Sequence, residues 1–309
     1  MAATKNNIKS VTETTIIEDG DGNPLKEIIT SIKKMDERSN IIYEANWQIN
    51  GMLEDKTEYT LDEKDRVIIK KVYLDDETVS EEWKYTYDEA GKLKQRIVQY
   101  SDGAKSNFQK STGDNGESIW TITDEDGELE GKQIITFEEP DLVASTTDID
   151  DMNTETLKVE MVYFEDNLLA ERTIYEYGEV LHKEEYEYND NDELSSLTTL
   201  TPKGNLISKV DYAYNNKNQI AHVDNGDVRT SFTYDEKGRE IEINRINTDS
   251  NLNLAITKRS YNEAGFILEM SVYEMGAQYE TEPGVMGRGS AIHQKIKYTY
   301  EFFKQEAHG

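Results

Sequence analysis

The segment Tyr85-Thr-Tyr87-Asp-Glu-Ala-Gly91-Lys-Leu93 decides how this chain folds. Two aromatic residues two positions apart place both rings on one face of a β-strand, because side chains alternate between the faces of a strand. The Asp and Gly that follow supply a turn, since glycine tolerates the positive φ that tight turns require. An apolar residue then opens a second strand, so the segment predicts a β-hairpin.

The same pattern recurs along the chain with a spacing of about 25 residues, which identifies a repeat architecture. Two strands of about 7–9 residues and two turns account for that length. Runs with the spacing of an amphipathic helix do not persist. We therefore expect an all-β protein with little helix, built as an elongated antiparallel β-hairpin repeat array with a meander or solenoid-like sheet. Clear copies begin at Tyr186, Tyr212, Phe232 and Tyr261, and weaker ones at Trp47, Tyr59, Trp120, Met161 and Tyr298.

One aromatic position of the repeat predicts a structural ladder of tyrosines. Equivalent rings on successive hairpins are expected to pack across neighbouring strands and to hold the array together. Sugar stacking on the same rings is the alternative interpretation. The predicted ladder consists of Tyr87, Tyr163, Tyr188, Tyr214, Tyr234, Tyr261 and Tyr300.

Two stretches interrupt the repeat and predict long loops. The first, 138–158, contains Pro140 and a polar run, and is a candidate joint between two sub-arrays. The second, 275–291, contains Pro283 and four glycines. We otherwise expect residues 1–309 to form a single repeat array.

The charge of the chain limits its partners. The chain of 309 residues has 34 Lys and Arg against 63 Asp and Glu, a formal net charge of −29. Because phosphate backbones are bound by Lys and Arg, we expect no nucleic-acid partner, and no apolar run is long enough for membrane insertion. An acidic chain attracts basic partners at low salt.

The absence of cysteine excludes disulfides, thiolate metal sites and cysteine nucleophiles. The N-terminal segment 1–10 has no apolar stretch typical of a secretory signal. A cytoplasmic protein and an exported protein lacking its signal peptide both fit, so the localisation is left open, as is the oligomeric state.

The unit Tyr-x-Tyr-Asp-x-x-Gly-Arg resembles the YD repeat of RHS-type proteins, and Phe232–Ile241 matches it best. Traces of the pattern run from Trp47 to Tyr300. The resemblance implies an all-β array of hairpins that serves as a shell around a toxic domain or as a binding scaffold. The chain lacks the Asp-Pro-x-Gly-type segment that ends an RHS core. It is also similar to small hairpin-repeat proteins classed as antitoxins, through Asp126-Gly127-Glu-Leu129-Glu-Gly131.

Catalytic and metal motifs are weak. The four histidines, His182, His222, His293 and His308, share no short spacing. Segments starting at Asp19 and Asp124 resemble an EF-hand loop but lack its glycine at position 6. Acidic residues from Asp148 to Asn153 are a weak Ca²⁺ candidate, and acidic turns are the favoured interpretation. We therefore predict no catalytic, cofactor-binding or metal-binding residues and no cofactor.

The sequence favours a non-enzymatic protein that binds another protein or serves as a scaffold. The first alternative is an immunity or antitoxin protein that neutralises a basic toxin, because the negative charge would complement it. The second is a carbohydrate-active enzyme or a carbohydrate-binding module.

Overall fold

The computed structural model describes residues 8–19, 23–74, 77–139, 142–274, 278–282, 285–288 and 292–303. This part of the chain consists of β-strands joined by turns and contains no helix. The strands are β1 Ile8–Glu18, β2 Pro24–Met35, β3 Ile41–Trp47, β4 Leu53–Leu61, β5 Val67–Tyr73, β6 Val79–Tyr87, β7 Leu93–Tyr100, β8 Lys105–Thr112, β9 Ser118–Thr123, β10 Leu129–Glu139, β11 Leu142–Asp150, β12 Glu155–Tyr163, β13 Leu169–Glu176, β14 Glu179–Tyr188, β15 Leu194–Leu200, β16 Leu206–Tyr214, β17 Ile220–Asp224, β18 Val228–Tyr234, β19 Glu240–Asn247, β20 Asn253–Tyr261, β21 Ile267–Glu274, β22 Gln278–Glu282, β23 Val285–Arg288 and β24 Ile292–Phe302.

The prediction of an open array is wrong in its topology. Twenty-two strands belong to one antiparallel sheet, in which β1 pairs with β2 on one side and with β24 on the other. β24 also pairs with β21, so the sheet closes on itself as a 22-stranded antiparallel barrel. Closure satisfies the backbone groups that an open array would leave unpaired at its two edges. The repeat pattern encodes each hairpin but does not encode the pairing of the first strand with the last.

The chain divides into two compact units. Unit 1 contains residues 1–82 and 227–309, and unit 2 contains residues 83–226. The candidate joint at 138–158 is mostly strand in unit 2, since it holds the end of β10, all of β11 and the start of β12. The predicted loop at 275–291 contains β22 and β23, which form a separate two-stranded sheet, and its other residues lie outside the described part.

The turns of the repeat share one hydrogen-bonding pattern. In the turn after β6, the Asp88 N–H donates to the Lys92 carbonyl (2.9 Å) and the Gly91 N–H donates to the Asp88 carbonyl (3.0 Å). The Asp88 Oδ1 accepts from the Lys92 N–H at 2.8 Å. Gly91 has φ of 83°, the left-handed conformation that glycine adopts without steric cost. The Asp88 side chain and the left-handed Gly91 therefore fix the backbone conformation of this turn.

The sheet is only half-buried on both faces. Directly opposed residues of paired strands share a face, so the strand registers define one face that carries the Tyr-x-Tyr rings, here called the tyrosine face. Most strand residues of the described chain are intermediate in exposure. The buried apolar side chains of the described residues are Ile16, Ala45, Val98, Trp120, Val159, Ile174 and Ala255.

Candidate functional site

The tyrosines of the predicted ladder hold strand ends together through their hydroxyl groups. Five of them donate to a backbone carbonyl at the start of the adjacent strand. These bonds are Tyr163 to Val143 (2.8 Å), Tyr188 to Leu169 (3.0 Å), Tyr214 to Leu194 (2.8 Å), Tyr261 to Glu240 (2.6 Å) and Tyr300 to Ile267 (2.9 Å). Tyr87 and Tyr234 end β6 and β18, and all seven rings are half-buried. The five hydroxyl bonds therefore link neighbouring strands of the sheet.

A second aromatic group lies on the tyrosine face of unit 2 around Arg96. The guanidinium carbon is 4.4 Å from the ring centroid of Phe108, 5.1 Å from Trp120 and 5.8 Å from Trp83. Trp120 is buried, and the Arg96 Nε is buried as well. Cation–π contacts of this kind stabilise a packed cluster. Trp120 thus belongs to the core of unit 2, with the half-buried rings of Phe108 and Trp83 beside Arg96.

The strongest candidate for a binding surface is a set of exposed apolar residues at one end of the strands of unit 2. It spans three consecutive turns, those joining β11 to β12, β13 to β14 and β15 to β16. The members of this apolar edge and their exposed fractions are Met152 (79%), Tyr177 (68%), Leu206 (64%), Ile207 (55%), Leu181 (50%) and Leu157 (40%). Since neighbouring strands lie about 4.8 Å apart, successive turns repeat about every 10 Å along this edge.

Tyr177 occupies a conformation that its side chain does not favour. It forms a two-residue turn with Gly178, and the two residues have φ of 49° and 79°. Hairpin turns of this kind prefer Asn-Gly or Asp-Gly, and a bulky residue with positive φ is strained. The Tyr177 N–H donates to the Thr156 carbonyl at 3.0 Å, which ties the turn to β12. A strained, exposed aromatic residue at a turn tip points to a role outside folding.

Carboxylates surround the apolar edge. The three turns and the strand ends beside them contain six acidic residues and one lysine within 148–157, 176–181 and 200–208. The acidic residues are Asp148, Asp150, Asp151, Glu155, Glu176 and Glu179, and the lysine is Lys203. These six carboxylates are called the acidic rim of the apolar edge, and Lys158 and Lys209 directly follow the strand ends of two of its turns.

Acidic turns do not form one continuous stripe in unit 2. The turns at Asp88 and Asp190 lie at the end of the strands opposite the apolar edge, whereas the turn at Asp124 lies at the same end as the apolar edge. Negative charge is therefore divided between both ends of this unit.

The described residues contain no group of three or more His, Asp or Glu arranged to hold a metal ion. Of the weak Ca²⁺ candidate, Asp148 accepts from the Gln133 amide at 2.9 Å and Asp150 accepts from the Thr154 N–H at 2.7 Å. His182 lies 3.6 Å from Glu184, and His222 belongs to β17. His308 and residues 20–22 of the first EF-hand-like segment lie outside the described residues.

No helix in the described part of the chain is long and apolar enough to cross a membrane. No protein-family model matches the chain, and no curated protein matches it.

Solved structures show a weak likeness to the chain. It is similar to the crystal structure of TcdB2-TccC3, with 10% identity, a TM-score of 0.38, and coverage of 92% of this chain and 20% of that chain. The structure of the Photorhabdus luminescens Tc holotoxin pore has 10% identity and a TM-score of 0.27, with coverage of 80% of this chain and 19% of that chain. A porin-like protein from Bacteroides uniformis has 12% identity and a TM-score of 0.26, with coverage of 95% of this chain and 98% of that chain. The chain thus spans about a fifth of the Tc chains, and likenesses at these TM-scores assign neither a family nor a function.

Proposed function

We propose that this protein is a non-enzymatic binding protein whose apolar edge in unit 2 docks a segment of another protein. The observation that carries the proposal is Tyr177, a ring that is 68% exposed in a turn position that favours asparagine or glycine. Large aromatic side chains supply much of the binding energy of protein interfaces. Met152, in the preceding turn of the apolar edge, is a flexible side chain suited to an adaptable contact.

The charge around the apolar edge defines the chemistry of the partner. Its acidic rim favours a segment with apolar residues at its centre and Lys or Arg on its flanks. Because the Debye length is about 8 Å at physiological salt, the rim charges act together only at short range and weaken with added salt. A basic toxin, as in the immunity alternative, would be one partner of this kind.

The proposal can be tested with two synthetic peptides that share a Leu-rich centre. One carries lysine flanks and the other carries glutamate flanks, and binding is measured by fluorescence anisotropy at low and high salt. We expect the lysine-flanked peptide to bind, to weaken at high salt, and to lose at least about tenfold in affinity with Tyr177→Asn or Met152→Ser. No binding of the basic peptide, or equal binding of both peptides, would contradict the proposal.

Tyr177→Asn separates binding from folding. Asparagine suits the left-handed turn position, so this variant should fold at least as stably as the parent chain. Tyr100→Ser is the matched control, because Tyr100 is an exposed turn tyrosine of the same unit, 36% exposed, outside the apolar edge. Undiminished binding by Tyr177→Asn would mean that the peptide docks elsewhere.

A further inference from the structure

A cleft of about 800 Å³ lies at the end of unit 2 opposite the apolar edge, over the tyrosine face of β7 to β10. Its lining comes from the turns after β6 and β8, the neighbouring strand ends and the end of β10. Ser118 is buried, 8% exposed, and lies between Thr112 and Ile135 in the register of the sheet. Gly116, in the turn that precedes Ser118, also lines the cleft, so small residues border it at this point.

Three lysines line this cleft: Lys92, Lys94 and Lys110. Gln95 pairs with Gln109, so Lys94 and Lys110 are directly opposed on adjacent strands. Like charges at opposed positions destabilise a sheet. Among the described residues, none of these three lysines forms a salt bridge, although the chain has 63 acidic residues against 34 basic ones. The Lys110 Nζ lies 5.7 Å from the centroid of the Trp120 ring, so the ammonium groups of Lys92 and Lys94 are the ones most available to an anion.

The carboxylates of the cleft divide into two kinds. The Asp88 Oδ1 accepts from the Lys92 N–H, and Glu117 accepts from the Asn115 N–H (3.0 Å) and from its side-chain amide (2.9 Å). Those hydrogen bonds hold the pKa of Glu117 below its usual value. Glu138 and Glu139 lie on the far side of the cleft and are exposed. The cleft thus presents ammonium donors on β7 and β8 and carboxylate acceptors on β10.

We propose that this lysine cleft binds an acidic oligosaccharide of two or three sugar units. The lysines would take the acid group of the sugar, while Glu138 and Glu139, with the hydroxyl of Thr112, would bond its hydroxyl groups. Phe137, 42% exposed, offers an apolar ring to a sugar face. The volume lies in the range of small-molecule sites, about 300–1,000 Å³. The lining has four carboxylates beside its three lysines, so a ligand with several hydroxyl groups as well as an acid group fits it better than a simple anion. The site is independent of the apolar edge and of the protein partner proposed for it.

The test uses the full chain and tri-galacturonic acid, with maltotriose as the neutral probe and sodium sulfate as the simple anion, followed by isothermal titration calorimetry. We expect binding of the acidic trisaccharide, with at least about tenfold weaker binding of maltotriose and of sulfate. The double variant Lys94→Gln, Lys110→Gln should lose at least about tenfold in affinity for it, whereas Lys105→Gln, at the other end of β8, should not.

The same variants report on folding. Removing the opposed charges should leave the melting temperature unchanged or raise it, so that lost affinity is not a consequence of unfolding. The proposal is overturned if the acidic trisaccharide does not bind, if maltotriose or sulfate binds equally well, or if the double variant binds as the parent does.

Discussion

His293 lies 2.8 Å through its Nδ1 from the Glu18 Oε2, across the strand pair that joins the two ends of the sheet. The Lys295 Nζ lies 3.5 Å from the other oxygen of Glu18, whose side chain is only 9% exposed. The His293 ring stacks on Tyr273 with centroids 4.2 Å apart. A nearly buried carboxylate with two basic partners therefore connects β1, β24 and, through Tyr273, β21.

Glu18→Gln should weaken this closure. The substitution keeps the volume and removes the charge, and hydrogen bonds to charged groups contribute about 1.5–3 kcal/mol. We expect the free energy of unfolding in urea to fall by about 2 kcal/mol. Amide exchange should also become faster in β24 than in the rest of the chain.

The control for this prediction is Glu301→Gln on the same strand pair. Glu301 is 65% exposed at its side chain and lies 4.0 Å from Lys9, and such a surface pair contributes little. Equal loss in both variants would show that Glu18 has no special role in closure.

Tyr214 tests the tyrosine ladder. Its hydroxyl donates to the Leu194 carbonyl at 2.8 Å, so Tyr214→Phe should cost about 1 kcal/mol of unfolding free energy. Tyr214→Ala also removes the ring and should cost up to about 3–5 kcal/mol. Urea titration measures both, and Tyr177→Phe is the control because its ring is 68% exposed. An unchanged midpoint for Tyr214→Ala would mean that the rings do not hold the strands together.

The tyrosines also predict how stability depends on alkaline pH. Burial, followed by the hydrogen bond to Glu58, raises the pKa of Tyr73 to about 12, and burial beside Glu13 raises the pKa of Tyr298 to about 12. An ordinary tyrosine in the unfolded chain has a pKa near 10.0. Between these values the unfolded state loses protons that the folded state keeps, so stability is complete below about pH 10 and falls as the pH rises toward 12.

Tyrosinate absorbance and far-ultraviolet circular dichroism, followed together from pH 9 to about 12.5, check this expectation. We expect ionisation of the buried tyrosines to coincide with loss of the β signal, and Tyr73→Phe to make the decline in stability less steep. Ionisation of all tyrosines near pH 10 with an intact β signal would be inconsistent with the raised pKa values.

The local structure was predictable because each hairpin is encoded within a few residues. The ring spacing of Tyr85 and Tyr87, the Asp88 turn and the left-handed Gly91 are all properties of one short segment. Closure was not predictable, since β1 has no Tyr-x-Tyr pair and its partner β24 lies almost 300 residues away. A hairpin pattern gives each strand its sequence neighbours but leaves the outer edges of the array unassigned.

The candidate surfaces depend on positions that no motif marks. Tyr177 precedes a glycine between two strands. Turns are recognised in a sequence by Gly, Asn and Asp, so an aromatic residue in a turn carries no such mark. A bulky residue preceding Gly in a two-residue hairpin is the signal that would have found it. Lys94 and Lys110 become neighbours only through the register of β7 and β8, because one residue of slip would place them on opposite faces.

Asp62 tests the turn chemistry of the repeat in acid. Its Oδ2 accepts from the Arg66 Nε at 2.8 Å, and its Oδ1 accepts from the N–H groups of Lys64 and Arg66. The hydrogen bond from the Arg66 side chain, with those from the backbone, lowers the pKa of Asp62 from 3.8 to about 2. Because the folded pKa is lowered, the contribution of this group to stability is present above about pH 4 and is lost as the pH falls toward 2.

Carboxyl carbon shifts of Asp62, followed by NMR on lowering the pH, should give a midpoint near the lowered value. Arg66→Gln should move that midpoint back toward 3.8, while the Asp235 turn, which has its own Arg239, should titrate unchanged. A midpoint for Asp62 that does not respond to Arg66→Gln would assign the shift to the backbone of the turn alone.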